Sequence, residues 1–131
     1  LSEVTPETIY QRLGGESALR ALVQCFYRYM NEWPEAGTVR GLHGADLSGA
    51  ESKLFQFLSG WLGGPDLYWE EFGHPRLRMR HLPFPIGTHE RDQWLLCMNK
   101  ALEENVADTE LRILLERFFA KTAEHLTNRP G

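Results

Sequence analysis

Phe72-Gly73-His74-Pro75-Arg76-Leu77-Arg78-Met79-Arg80-His81-Leu82-Pro83-Phe84 is the stretch on which the reading of this chain turns. Gly73, Pro75 and Pro83 punctuate it, and Pro85 and Gly87 follow, so any helix inside it is limited to one or two turns. Tyr68, Trp69, Phe72, Leu77 and Phe84 make the segment too apolar to be disordered. An irregular connection of 22 residues, 66–87, that carries this much apolar surface is expected to have a function.

On both sides the chain reads as helix. Thr5-Pro6 has the look of an N-cap followed by a first-turn proline, with Gly14-Gly15 closing a short helix. Leu19, Leu22, Val23, Phe26, Tyr27 and Met30 then recur at helical spacing until Pro34. Ser48-Gly49-Ala50-Glu51 reads as a capping box opening a helix through Leu54, Phe55, Phe57, Leu58, Trp61 and Leu62, which Gly63-Gly64-Pro65 ends. After the irregular segment a helix runs from Thr88 through Trp94, Leu95, Met98, Ala101 and Leu102. A last stripe follows at Leu111, Leu114, Leu115, Phe118, Phe119, Thr122 and Leu126. Four substantial helices, each with one apolar face, predict an all-α domain in which they pack on one another.

The 131 residues suit one domain over 1–131, with 1–4 and 128–131 expected as flexible tails. A hydrophobic fraction of 42% and a charged fraction of 24% are those of a folded globular chain. A net charge of −4 argues against a nucleic-acid partner, and no apolar run approaches the ~20 residues of a membrane span. Cys25 and Cys97 form no CxxC pair and read as two buried thiols. With no secretion signal visible, a cytoplasmic protein is expected, as a monomer or a homodimer.

If Pro75 opens a short helix, Leu77 and His81 share one face and Arg76 and Arg80 the adjoining one. An inward imidazole beside a leucine, with guanidinium groups at the rim, suits a haem: an apolar slot, a neutral nitrogen for the iron, and cations for the propionates. The same residues also describe a surface histidine in a basic loop, or a weak non-haem metal site with His74. Without CxxCH, any haem is bound non-covalently. Tyr27 and Trp94 lie on apolar stripes, where periodicity alone favours core packing. His43 is expected in a loop, His74 as a cap before Pro75, and His89 and His125 at the surface.

Together these residues resemble the truncated haemoglobins, specifically group II, over roughly Thr8 to Asn128. The resemblance rests on Gly14-Gly15, Gly63-Gly64, Phe26-Tyr27, Asp46-Leu47-Ser48-Gly49-Ala50-Glu51, the stretch 72–84 and Trp94. It implies a shortened globin fold, two antiparallel helix pairs sandwiching a haem b, with the proximal helix mostly replaced by loop. It also implies that His81 is the proximal iron ligand and that Tyr27 and Trp94 are distal. His43 falls at a polar distal position, with Leu42 competing for that place. Ala50 stands where many globins carry a distal histidine or glutamine, and Leu54 would cover the iron. Lys53 and Arg80 would meet the propionates, and Tyr68, Phe72, Leu77, Phe84 and Ile86 would line the haem edge.

The function implied is oxygen binding, with CO and NO as further diatomic ligands and Tyr27, Trp94 and His43 as hydrogen-bond partners. Several donors around a small Ala50 should hold oxygen tightly and release it slowly, which sits badly with oxygen transport. The alternative is nitric oxide dioxygenase or peroxidase-like chemistry, for which a separate reductase would have to supply electrons.

Overall fold

The computed structural model describes residues 7–129, and among these residues the regular structure is all helix, with no strand. Helix α1 (Ile9–Leu13) is capped by Thr8, whose hydroxyl accepts from the Gln11 amide while the Gln11 side chain accepts from Thr8 N–H. The cap expected at Thr5-Pro6 lies outside the described residues. Gly14, at φ 122°, ends α1 and leads directly into α2 (Gly15–Glu32). A 3-10 turn (Pro34–Ala36) and the one-turn α3 (Gly37–Arg40) then bring the chain to α4 (Ser48–Trp61).

The capping box expected at Ser48 does not form. Leu47 occupies the cap position, and Asp46 Oδ1 accepts the Ser48 N–H at 2.9 Å. An aspartate two residues upstream meets the same need for an acceptor at the helix start, and this bond holds its carboxyl below the usual range. At the other end of α4, Tyr10 N–H reaches the Leu62 carbonyl at 2.9 Å, and the Tyr10 ring lies over Gly64. A β-carbon at Gly64 would meet that ring at 2.5 Å, so the glycine pair seats α1 on the end of α4.

The segment 66–87 is broken as the prolines demand, into α5 (Leu67–Phe72) and α6 (Leu77–His81). The long helices α7 (Thr88–Asn105) and α8 (Thr109–Leu126) follow. Helix α2 packs on both α4 and α7, and α7 packs on α8, so the pairs α2/α4 and α7/α8 meet through α2 and α7. Leu19, Leu22, Val23, Phe26, Leu58, Met98, Leu102, Leu111, Leu115 and Phe119 form the core between them. Phe26 and Phe119, at 0% and 1% exposure, each contribute ~1.5–3 kcal/mol by burial.

Two stripe residues stay outside. Leu114 is 44% exposed, because the buried line of α8 runs at intervals of four through Leu111, Leu115, Phe119 and Ala123 and leaves 114 on its flank. Trp61 is 45% exposed and meets Phe57 and Phe118 edge-on. Of the tails expected at 1–4 and 128–131, residues 1–4 and 130–131 lie outside the described residues. Asn128 and Arg129 both donate backbone N–H groups to the Ile86 carbonyl, at 2.8 and 3.1 Å.

Candidate haem site

Helix α6 does not open at Pro75. Arg76 precedes it in the left-handed conformation (φ 46°, ψ 53°), and its N–H is accepted by His74 Nδ1 at 3.0 Å. His74 therefore closes a turn, its ring 5.3 Å from that of Trp69. Among the described residues no three His, Cys, Asp or Glu side chains are grouped to hold a metal ion directly.

The four-residue spacing of Leu77 and His81 has a more specific outcome than a shared face. His81 Nδ1 lies 2.6 Å from the Leu77 carbonyl oxygen. A carbonyl can only accept, so Nδ1 donates its proton there, and in the neutral ring Nε2 keeps its lone pair. That is the neutral tautomer an iron ligand needs, oriented by a backbone bond on the far nitrogen. His81 itself is half-buried.

Apolar side chains are left uncovered around this segment. Phe72, Met79, Leu82 and Phe84 are 37%, 52%, 48% and 44% exposed, a concentration unlike the scattered single residues of an ordinary surface. Lys53 Nζ lies 5.6 Å from the centre of the Phe72 ring, Phe72 lies 4.8 Å from Tyr68, and the Arg80 guanidinium lies 5.7 Å from the Tyr68 ring. The fold thus gathers Lys53, Tyr68, Phe72 and Arg80 from α4, α5 and α6 into one chain of contacts. Neither cation has a carboxylate partner among the described residues.

Tyr27 of α2 is buried, its ring edge-on to Phe26 at 4.8 Å and to His43 at 6.0 Å. Trp94 of α7 packs on Phe26 at 4.9 Å and on Phe119 at 5.8 Å. Phe26 touches both and fixes their relation. Neither the Tyr27 hydroxyl nor the Trp94 indole N–H has an acceptor among the described residues, and neither atom is sealed from accessible space. Burial first, and the Glu51 charge second, push the Tyr27 phenol well above the usual tyrosine range, so it stays a neutral donor.

His43 Nδ1 lies 3.0 Å from the Val39 carbonyl, so by the same argument it donates there and the neutral ring keeps a lone pair at Nε2. Leu42 packs on the core, as do the half-buried Ala50 and Leu54. Ile86 is half-buried, and its N–H is accepted by Asn128 Oδ1 at 3.0 Å. Among the described residues no hydrogen bond or ring contact joins Tyr27, His43 or Trp94 to His81.

The residues fit the group they were expected to hold. An imidazole tied at Nδ1 to a backbone carbonyl, exposed apolar side chains beside it, unpaired cations at its edge and two unsatisfied donors are the donor set and surface a haem requires. Asn128 is the residue that sequence reasoning missed. Its contacts lie 42–47 positions away in the chain, and no local pattern announces them.

Comparison with known proteins gives the family and the fold. The model of the bacterial-like globin family matches residues 8–128. The chain is similar to a group 2 truncated haemoglobin of Bacillus subtilis, 41% identical over 115 residues, which are 88% of this chain and 85% of the relative. Its fold is similar to a group II 2-on-2 haemoglobin of Agrobacterium tumefaciens, at a TM-score of 0.94 and 42% identity, over 99% of this chain and 100% of that one. It is also similar to a cold-adapted truncated haemoglobin of the Antarctic bacterium Pseudoalteromonas haloplanktis, at a TM-score of 0.92 and 42% identity, covering 94% and 99%. Sequence, helix arrangement and side-chain chemistry therefore agree that this chain belongs to the bacterial-like globin family, as a group II truncated haemoglobin of the two-on-two fold, a membership that implies a haem cofactor and gaseous ligands.

Proposed function

We propose that the chain holds haem b non-covalently through His81 Nε2 and binds oxygen reversibly, with CO and NO as competing ligands. The observation that carries this reading is the Leu77–His81 bond, which presets the tautomer and aims the free nitrogen. When bound, haem would supply an iron able to take a diatomic ligand, and His81 would be the residue that holds it. Everything else falls to the chain's own residues. Leu77, Phe72, Phe84 and Ile86 supply apolar surface along the group's edge, and Leu54 and Ala50 of α4 border the ligand side. Tyr27 and Trp94 donate hydrogen bonds to the polarised ligand without bringing a charge. With Nδ1–H given to the Val39 carbonyl, His43 in its neutral form would serve as an acceptor that can turn the Tyr27 hydroxyl away from the ligand.

Lys53 and Arg80 pair with the propionates at the solvent edge. Exchanging either for Met should speed haem loss only modestly, because an exposed ion pair contributes little. Transfer of haem to a scavenger protein measures it, and a large change in oxygen affinity would place these side chains near the iron instead.

Two donors converging on one ligand favour slow release, and with it turnover of the held ligand over delivery. The second reading is nitric oxide dioxygenase or peroxidase-like chemistry in the cytoplasm, with a separate reductase as electron source. Titrating the ferrous, haem-loaded protein with oxygen and then removing it tests the main reading. A spectrum that converts and returns with one ligand per haem is expected, and failure to bind or to return contradicts it. Mixing the oxygenated protein with nitric oxide, with and without a reducing system, separates the two readings.

A further inference from the structure

Helix α6 has only five residues, too few to be stable alone, and its Leu77–His81 bond is internal to it. Something outside must fix this helix relative to the rest of the molecule. The loop after it contains Pro83 and Pro85, which have no N–H groups, so within the loop the His81 carbonyl is met by Phe84 N–H alone, at 2.9 Å. Asn128, two residues beyond the end of α8, adds a tie from outside the segment. Its Nδ2 donates to the carbonyls of His81 at 3.1 Å and Phe84 at 3.0 Å, and its Oδ1 accepts from Ile86 N–H at 3.0 Å. Its backbone N–H also reaches the Ile86 carbonyl at 2.8 Å. Both donors and the acceptor of one carboxamide are used on three residues of a single loop. Arg78 adds a second tie to the same end of α8, donating to the His125 carbonyl at 2.9 Å.

We propose that Asn128 is the positioning residue for His81. Its carboxamide ties the loop 81–86 to the end of α8, and so sets the angle and distance at which the imidazole meets the iron. The inference rests on His81 being the ligand, as proposed above. The side chain acts on His81 through the backbone of the loop, at the His81 and Phe84 carbonyls and the Ile86 N–H.

The test uses the full haem-loaded chain with Asn128→Ala and Asn128→Asp. Aspartate keeps the acceptor for Ile86 but sets a carboxylate against two carbonyls, so it should disturb the loop at least as much as alanine. In both variants the iron–histidine stretching band of the ferrous protein should shift and broaden, and haem should transfer to a scavenger about tenfold faster (~1.4 kcal/mol). The helical circular dichroism should stay as in the wild type. In the unmutated protein, the Asn128 carboxamide protons and the Ile86 amide should exchange slowly with solvent, a readout that needs no variant to fold. An unchanged band in both variants, or fast exchange at these protons, overturns the proposal. His81→Ala separates the two ideas. If the band survives there, the ligand assignment fails; if it vanishes there but is unaltered in the Asn128 variants, only the positioning role fails.

Discussion

Oxygen should leave the Trp94→Phe variant at least tenfold faster than the wild type, a loss of about 1.4 kcal/mol. The indole is held between Phe26 and Phe119, and its N–H finds no acceptor among the described residues. An indole can donate but never accept, so nothing else in this surrounding competes for that hydrogen. Tyr27 is placed differently. Its ring adjoins His43, whose Nδ1 is committed to the Val39 carbonyl, so that in the neutral ring Nε2 offers a lone pair. The tyrosine hydroxyl has two destinations, and Tyr27→Phe should have a smaller effect that Trp94 partly masks. Both rings lean on Phe26, so the double variant should lose more than the sum of the single changes. Burial keeps the phenol protonated, so this ranking should hold at pH 10, where an ordinary tyrosine is half ionised. Rapid-mixing measurements of oxygen release in the three variants decide it. Faster release from Tyr27→Phe than from Trp94→Phe would make the tyrosine the principal donor.

The second large effect concerns His81. His81→Ala should lose haem during purification, or retain it only with imidazole in the buffer. The substitution removes the free Nε2 and the bond to the Leu77 carbonyl together. The fold should survive, because His81 is half-buried and outside the core that α2, α7 and α8 build. Haem content per chain and the helical signal, measured together, separate loss of the ligand from loss of the fold. Wild-type haem content without imidazole would remove His81 from the role given to it.

Much of this was legible before the structure, and the limits are physical. The long helices announce themselves because burial on one face imposes a 3.6-residue period, as at Leu19, Leu22, Val23, Phe26 and Met30. The broken segment was equally plain, since Pro75, Pro83 and Pro85 forbid a long helix there whatever surrounds them. Boundaries were harder. Ser48 has the composition of a cap, yet Asp46 serves that helix start, because either oxygen can satisfy the same orphan donors. Arg76 adopts a left-handed conformation that nothing in its residue type foretells. At the site, spacing put Leu77 and His81 together but read the pair as a shared face, whereas the bond runs from ring to backbone carbonyl. His43 and Val39 repeat that i, i+4 bond, and it was not anticipated. Asn128 lay in an expected tail, and its three partners could be found only once the chain had folded back on itself.

The central claim is that His81 Nε2 holds the iron, and the iron–histidine stretching region of the resonance Raman spectrum reports that bond directly. Spectra of the ferrous, ligand-free wild type and of His81→Ala with and without imidazole are the measurement. The account predicts a band in the wild type, its absence from His81→Ala, and a new band at a shifted position when imidazole is added. The wild-type band, unchanged in His81→Ala without imidazole, would contradict it.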